Sequence, residues 1–378
     1  MSTNHRGARR MYLTTTRDNL AGAVGLVQRA IPSRTPLPAL SGILLRASGE
    51  GLTLTGSDLE LAITTWIPAE VTTPGELLLP ARYLADIVRR LPEGPVQIEA
   101  APDGAGAVLR YGNAQARLSG FSAEDYPEVP DVVPRAEFSL PVETCRDVVR
   151  QVIYAAGQDE LRPIFTGVLL EIVEGALYLV ATDTHRLALK RHELPDNELQ
   201  LTNIVIPAKA INELYRALGA LEGDVTVQVG ENHVVFKSGP LRLVSRLIDG
   251  RYPDYRQVIP KSYLTRLSAL DGAALLRTIE RAAVFAQEEV PVILCEVEGD
   301  TMRVSAQSQV GSLEETLPVA SEGEPVAVAF NAGYLMEALR ASLTPEVDLE
   351  LNGPLGPAVM RPAGGDDCLA LVLPVRLT

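Results

Sequence analysis

Leu79-Pro80-Ala81-Arg82-Tyr83-Leu84-Ala85-Asp86-Ile87-Val88-Arg89-Arg90-Leu91 recurs further along the chain as Ile206-Pro207-Ala208-Lys209-Ala210-Ile211-Asn212-Glu213-Leu214-Tyr215-Arg216-Ala217-Leu218. A looser third copy is Phe330-Asn331-Ala332-Gly333-Tyr334-Leu335-Met336-Glu337-Ala338-Leu339-Arg340. The acid steps from Asp86 to Glu213 to Glu337 and the base from Arg89 to Arg216 to Arg340, both by 127 and then 124 residues. Upstream, Leu52 to Asp58 aligns with Leu177 to Asp183 and with Met302 to Ser308 at steps of 125. Three tandem domains account for both repeats, and the 378 residues allow them at ~100 to 200 residues each.

The repeated segments fix the class. Leu52 to Asp58 and its copies alternate apolar and polar residues, the period of half-buried strands. Helix-period stretches precede them at Arg17 to Ile31, Glu143 to Ala156 and Asp271 to Ala286. A second helix starts at Pro80, Pro207 and Asn331, where a missing amide hydrogen or a capping side chain fits. Each domain therefore reads strand, helix, strands, helix, strands, an α+β class. The expected boundaries are a disordered tail over 1–10 and domains over 11–135, 136–262 and 263–378, with proline-bearing joints at Pro127 to Arg135 and Pro253 to Lys261.

Composition narrows the function. Charged residues make up 22% and no apolar run approaches the ~18 residues of a membrane span. Cys145, Cys295 and Cys368 are far apart and show no metal-binding spacing, which fits a reducing cytoplasm and no structural zinc. Net charge is −14, so nucleic-acid attraction, if present, is confined to one face. Arg82 and Arg89 lie seven apart, as do Lys209 and Arg216, which puts each pair on one side of its helix. A charged outer face with cations near the helix end gives the same pattern without any ligand.

Phosphate loops, dinucleotide loops, zinc-protease motifs and nucleophile elbows are absent. Of His5, His185, His192 and His233, the last is expected exposed in a Gly230 to His233 turn. Asp58 and Asp183 recur in register, but Ser308 replaces them in the third copy. Turn duty explains them better than a catalytic carboxylate pair. Asp183-Thr184-His185-Arg186-Leu187 has no counterpart in the other repeats, so it is a candidate for a private role such as holding a partner. The apolar ending Leu371-Val372-Leu373-Pro374-Val375-Arg376-Leu377-Thr378 invites docking too.

The LPAR and IPAK helix starts, Ala181-Thr182-Asp183-Thr184-His185-Arg186-Leu187-Ala188, Asp249-Gly250-Arg251-Tyr252-Pro253-Asp254-Tyr255 and Leu373-Pro374-Val375-Arg376-Leu377 resemble the bacterial DNA polymerase III beta subunit family of sliding clamps. The resemblance runs from about Met11 to the C-terminus. It implies three tandem DNA-clamp domains, each two helices backed by antiparallel sheets, closing head to tail as a homodimer into a six-domain ring. Such a ring encircles duplex DNA without reading sequence and catalyses nothing. It tethers the replicative polymerase and confers processivity, with no cofactor. A repeat scaffold that does not encircle DNA is the alternative.

The resemblance also implies site residues. A partner-peptide pocket falls to Phe165, Thr182, Thr184, His185, Arg186, Leu187, Pro253, Gln257, Val258, Tyr334, Leu355, Val372, Leu373, Pro374, Val375 and Arg376. DNA contact falls to Arg34, Arg82, Gln158 and Lys209, joined by the recurrent Arg89 and Arg216. The dimer seam places Ala116 and Leu118 near Val284 and Phe285 of a second copy, with Glu314 and Glu315 nearby. Implied partners are the polymerase III alpha subunit, the clamp loader, other polymerases, and mismatch-repair or ligase proteins, in a bacterial cytoplasm at the nucleoid. Thr184 stands where the family usually has glycine, and Gln257 where a basic residue occurs.

Overall fold

The computed structural model describes residues 11–49, 51–101, 106–195, 198–286 and 290–376. The expected tail Met1 to Arg10 and the final Thr378 lie outside them. Six α-helices appear among the described residues: α1 (Arg17–Val27), α2 (Ala81–Arg90), α3 (Val142–Arg150), α4 (Ala208–Leu218), α5 (Gly272–Ala283) and α6 (Ala332–Ala341). Two fall in each repeat, in the expected order among strands.

The helices start where the sequence places caps. Thr16 Oγ1 accepts from Asn19 N at 3.2 Å before α1, and Asp271 Oδ1 accepts from Ala274 N at 2.9 Å before α5. Asn331 Oδ1 accepts from Gly333 N at 2.8 Å before α6. Pro80 holds the same place before α2 with no side-chain bond, since its fixed φ sets the entry instead. On α2, Leu84, Ala85 and Val88 are buried, while Arg82 and Arg89 are exposed.

The described chain divides into two compact units that cut across the second repeat. One comprises residues up to Val142 with Arg216–Arg246, and the other Glu143–Tyr215 with Leu247 onward. In the first, an eight-stranded sheet runs Ala136–Pro141, Asp224–Val229, His233–Ser238, Leu241–Arg246, Leu61–Pro68, Gly51–Ser57, Gly42–Ser48, Gly75–Pro80. Its seam is the pairing of Leu241–Arg246 with Leu61–Pro68, second repeat on first. A five-stranded sheet ends on the edge strand Ala114–Ser119. His233 is the first residue of a strand and half-buried, rather than an exposed turn residue, because the ladder to Arg246 starts at it.

The second unit repeats the design. A nine-stranded sheet joins Arg186–Glu193 of the second repeat to Cys368–Val372 of the third, with Arg186 opposite Val372 and Leu189 opposite Leu369. A four-stranded sheet ends on the edge strand Gly311–Pro318. One core gathers Ile279, Phe330, Leu335 and Val372. A smaller cluster holds Leu169, Val180, Leu187, Leu189, Leu369 and Leu371 under Tyr252 and Tyr255. Burial of each large aliphatic side chain contributes about 1.5–3 kcal/mol, and the tyrosines clamp the Asp249 to Tyr255 loop onto this second cluster.

Candidate functional site

The smaller cluster is only partly covered. A cavity of about 230 Å³ opens on it, lined by nine of the expected residues: Phe165, Thr182, Thr184, His185, Arg186, Leu187, Pro253, Val258 and Leu373. Asp254, Tyr255 and Leu371 complete the lining, and sequence reasoning did not single them out.

A turn built by one aspartate frames the cavity. Asp183 Oδ1 accepts from the amides of His185 and Arg186 at 2.9 and 3.0 Å, and Thr182 Oγ1 donates to Arg186 O at 2.6 Å. Asp58 does the same one repeat earlier, accepting from Glu60 N and Leu61 N at 3.0 and 2.7 Å. Both aspartates therefore do turn duty. Between them and the bonded amides sit Leu59 and Thr184, each at φ 79°. A β-branched residue is disfavoured there, which is the physical reason that glycine suits the position.

Arg186 anchors the turn from behind. Its side chain is 11% exposed, and Nε donates to Asp183 Oδ2 at 2.9 Å while NH1 pairs with Glu337. The guanidinium lies 4.5 Å from the Tyr334 ring centroid and 5.6 Å from that of Tyr154. Burial works against the Arg186 charge, but the Glu337 and Asp183 carboxylates outweigh it and raise its pKa above the ordinary arginine value. Burial likewise raises the Tyr154 phenol. The repeat's recurrent acid has thus diverged: Asp86 pairs with Arg90 on its own helix, whereas Glu337 holds the pocket turn through Arg186.

Loop and tail close two further sides. Asn203 accepts from Tyr252 N and donates to Gly250 O, each at 2.7 Å, fixing the loop that carries Pro253. The rings of Phe165 and Tyr252 meet edge to face at 6.4 Å. Leu373 N donates to His185 O at 2.9 Å, which brings the Leu373 side chain to the cavity.

Seven expected pocket residues are not in this lining. Val372 is buried in the other core, because alternation along Cys368–Val372 sends it to the opposite face from Leu371 and Leu373. That alternation was the signal that Leu371 belonged instead. Tyr334 lies under Arg186, and Gln257 is exposed and donates to Asp254 Oδ2 at 3.0 Å. Leu355 is 66% exposed in the loop after Glu346–Leu351. The tail turns away after Leu373: Pro374 is half-buried, Val375 N donates to Ala329 O, and Val375 and Arg376 line a separate cavity of about 680 Å³.

The other expected residues occupy surfaces. Arg34, Arg82, Arg89, Gln158, Lys209 and Arg216 are all exposed. Ala116 and Leu118 are half-buried on the edge strand Ala114–Ser119. Val284 is 56% exposed, Phe285 packs against the C-terminal core, and Glu314 is exposed. Glu315 is held within its own chain by Arg281 Nε at 2.8 Å and Thr278 Oγ1 at 2.8 Å. The Arg281 hydrogen bond, with that of Thr278, pulls its carboxyl down to about 2.

Family models for the DNA polymerase III beta subunit match most of the chain: the N-terminal domain over residues 11–130, the central domain over 139–254 and the C-terminal domain over 256–376. The chain belongs to the DNA polymerase III beta subunit family. Its relatives include proteins named beta sliding clamp from Halalkalibacterium halodurans, 35% identical with 97% of this chain and 100% of the relative covered, and from Bacillus subtilis, 32% identical with the same coverage. The crystal structure of the Bacillus subtilis DNA polymerase sliding clamp superposes with a TM-score of 0.93 at 30% identity, over 98% of this chain and 100% of the other. A Pseudomonas aeruginosa sliding clamp bound to griselimycin superposes with a TM-score of 0.92 at 29% identity, over 97% and 100%.

As a member of this family the chain is a sliding clamp, a non-catalytic processivity subunit built from three tandem clamp domains. Among the described residues no cluster of metal-ligating side chains occurs and no helix is long and apolar enough to cross a membrane.

Proposed function

We propose that two copies of this chain close head to tail into a six-domain ring around duplex DNA and tether polymerase through the pocket beside Arg186. The observation that carries the tethering is the 230 Å³ cavity itself. It is smaller than the ~300 Å³ at which drug-sized sites begin, so it suits one or two apolar side chains of a linear peptide. Thr182, Thr184 and His185 stand at the rim, where they orient the guest's backbone. The polymerase alpha subunit, the clamp loader, other polymerases and repair proteins are its guests, in the cytoplasm at the nucleoid.

Two open edges support the ring. Neither Ala114–Ser119 nor Gly311–Pro318 has a fully buried residue, and each ends its sheet. An uncovered edge is a template for pairing, and head-to-tail pairing of unlike edges closes a dimer when the rotation returns to its start. Ala116 and Leu118 then face Val284 and Phe285 of the second copy, with Glu314 and Glu315 at the rim of the seam. Arg34, Arg82, Arg89, Gln158, Lys209 and Arg216 contact phosphates without reading bases, and topology rather than affinity retains the duplex. In this reading the domains span 11–135, 136–262 and 263–378.

Loaded protein should remain on closed-circular DNA and leave after linearisation, while native mass spectrometry reports a dimer. Equal release from both DNA forms would sink the ring. Leu373→Asp is expected to lower affinity for a polymerase-derived peptide more than truncation after Leu373, because Leu373 is the tail residue in the lining. Equal affinity of Leu373→Asp and the parent would remove the pocket assignment.

A further inference from the structure

Leu44, Leu169 and Leu294 stand at the same place in the three repeats, at steps of 125. Their cross-strand neighbours match as well: Leu44 is opposite Leu78 and Thr55, Leu169 opposite Val205 and Val180, and Leu294 opposite Ala329 and Ser305. In each repeat the chain leaving the last strand bonds to the first of these neighbours. Phe121 N donates to Leu78 O at 2.9 Å, Ile248 N to Val205 O at 2.8 Å and Val375 N to Ala329 O at 2.8 Å. The three frames are equivalent down to single hydrogen bonds.

They differ in what lies on the leucine. Five residues after Phe121, Tyr126 is buried in a cluster with Leu44 and Leu78. Four residues after Ile248, Tyr252 is buried in the cluster with Leu169 and Val205. Each of these straps goes on to a proline and an acid, Pro127-Glu128 and Pro253-Asp254. Beneath them Leu44 and Leu169 are 3% and 2% exposed. Leu294 and Val292 are only half-buried, and they line the cavity of about 680 Å³ together with Ser305, Glu314, Val375 and Arg376. Among the described residues that lining holds no aromatic ring.

We propose that this cavity docks an extended segment of a partner protein that carries a tyrosine, a proline and an acid in succession. The chain itself shows the chemistry twice: the ring covers the leucine, and the proline keeps the backbone extended beside it. Arg376, exposed on the rim, is the cation for the guest's acid. Recognition is by an extended peptide whose side chains enter a sheet-face pocket. Pairing along the edge strand Gly311–Pro318 does not fill the site. Its counterpart in the first repeat, Leu61–Pro68, is paired with Leu241–Arg246, yet the cover on Leu44 is Tyr126. The site is therefore independent of the ring and of the pocket beside Arg186.

The test uses the full chain and a fluorescein-labelled peptide with the sequence of Ala123 to Val129, read by fluorescence anisotropy. The chain's own straps hold the two sister frames at high effective concentration, so the free peptide reports on the third. The parent protein should bind it, and a peptide carrying Tyr126→Ser should bind about tenfold more weakly or not at all. Leu294→Asp in the protein should weaken binding by about tenfold or more. If Leu294→Asp does not give a cooperative melt, Ser305→Arg is measured instead, with the same weakening expected. Val258→Asp, which lies in the pocket beside Arg186, should leave binding unchanged. No binding by the parent, or binding indifferent to Leu294→Asp and Ser305→Arg, overturns the proposal. So does binding lost with Val258→Asp, which assigns the peptide to the first pocket. Conversion of a dimer to a monomer by Leu294→Asp, read by native mass spectrometry, makes the face a contact between copies and overturns it too. Retention on circular DNA is read separately, so the ring stands or falls on its own measurement.

Discussion

The eight-stranded sheet of one unit and the nine-stranded sheet of the other carry the same cross-strand rows with different chemistry. In the first, Leu78, Leu44, Thr55, Thr64 and Arg242 stand side by side. In the second, the register-matched row is Val205, Leu169, Val180, Leu189 and Leu369. Thr55 and Thr64 satisfy each other with a 3.1 Å hydrogen bond, and Arg242 NH2 donates to Pro130 O at 3.1 Å. Val180 and Leu189 carry no polar group and pack within the cluster under Tyr252 and Tyr255. The next row differs as well: Ala62, Val244 and Val235 are packed by Val129 and Val132 of the chain's own connecting segment. Leu187 and Leu371, on the matching row, open on the cavity. The frame recurs with a different lining: in the first copy Leu44, Thr55, Thr64 and Arg242 face a cavity of about 350 Å³ with charged Arg46, Glu128 and Asp131 around it, whereas in the second Leu187 and Leu371 open on the smaller cavity of about 230 Å³.

The largest expected effect comes from removing the Arg186 pin of the second frame. Arg186→Ala strands the Asp183 carboxylate, 16% exposed, and releases Glu337. A loss of about 2–4 kcal/mol in urea unfolding is expected, below the full figure for a buried pair because Glu337 is half-exposed. A loss below that range would mean that Arg186 does not anchor the turn. Next, Val180→Thr and Leu189→Thr rewrite the second frame as the first. Each alone buries a hydroxyl and should cost about 1–3 kcal/mol. Together they should cost less than the sum, by about 1 kcal/mol, since the hydroxyls can pair as in Thr55 and Thr64. A double-mutant cycle that closes to zero would break the equivalence of the two rows.

Smaller still is the shared strain. Thr184→Gly should raise stability by about 1 kcal/mol, and Leu59→Gly by a similar amount, because both relieve a side chain at φ 79°. Opposite signs would show that the two turns are not equivalent. The smallest effect lies outside both frames. Glu315 has its carboxyl lowered from 4.5 to about 2, so its contribution is present above about 4.5 and lost as pH falls towards about 2. Arg281→Ala should return its titration, followed by NMR, to the ordinary carboxylate range, and the stability gap to the parent should narrow over that acid window.

The sequence made the frame legible because repetition exposes what local physics requires. Cap positions, alternating strands and the turn aspartates recur at fixed steps, and all take their expected roles. Asp183 to Leu187 stands out by departing from its sisters, and Thr184 to Leu187 line the cavity. The tail was legible only in part. Its apolar character pointed to docking, but alternation puts Leu371 and Leu373 on the cavity side and Val372 in the opposite core. Asp254 and Tyr255 were missed because a loop residue's facing is set by Asn203 from a distant strand, which leaves no local period.

By itself, then, the sequence determined the number of repeats, their α+β order and the family, since spacing and side-chain type encode hydrogen-bonded turns and buried faces. Only the tertiary structure decided which residues share a cavity and where compact units begin. Strand pairing across repeat boundaries joins Leu61–Pro68 to Leu241–Arg246 and Arg186–Glu193 to Cys368–Val372. Those ladders connect residues more than 170 positions apart, and nothing local in either strand names its partner.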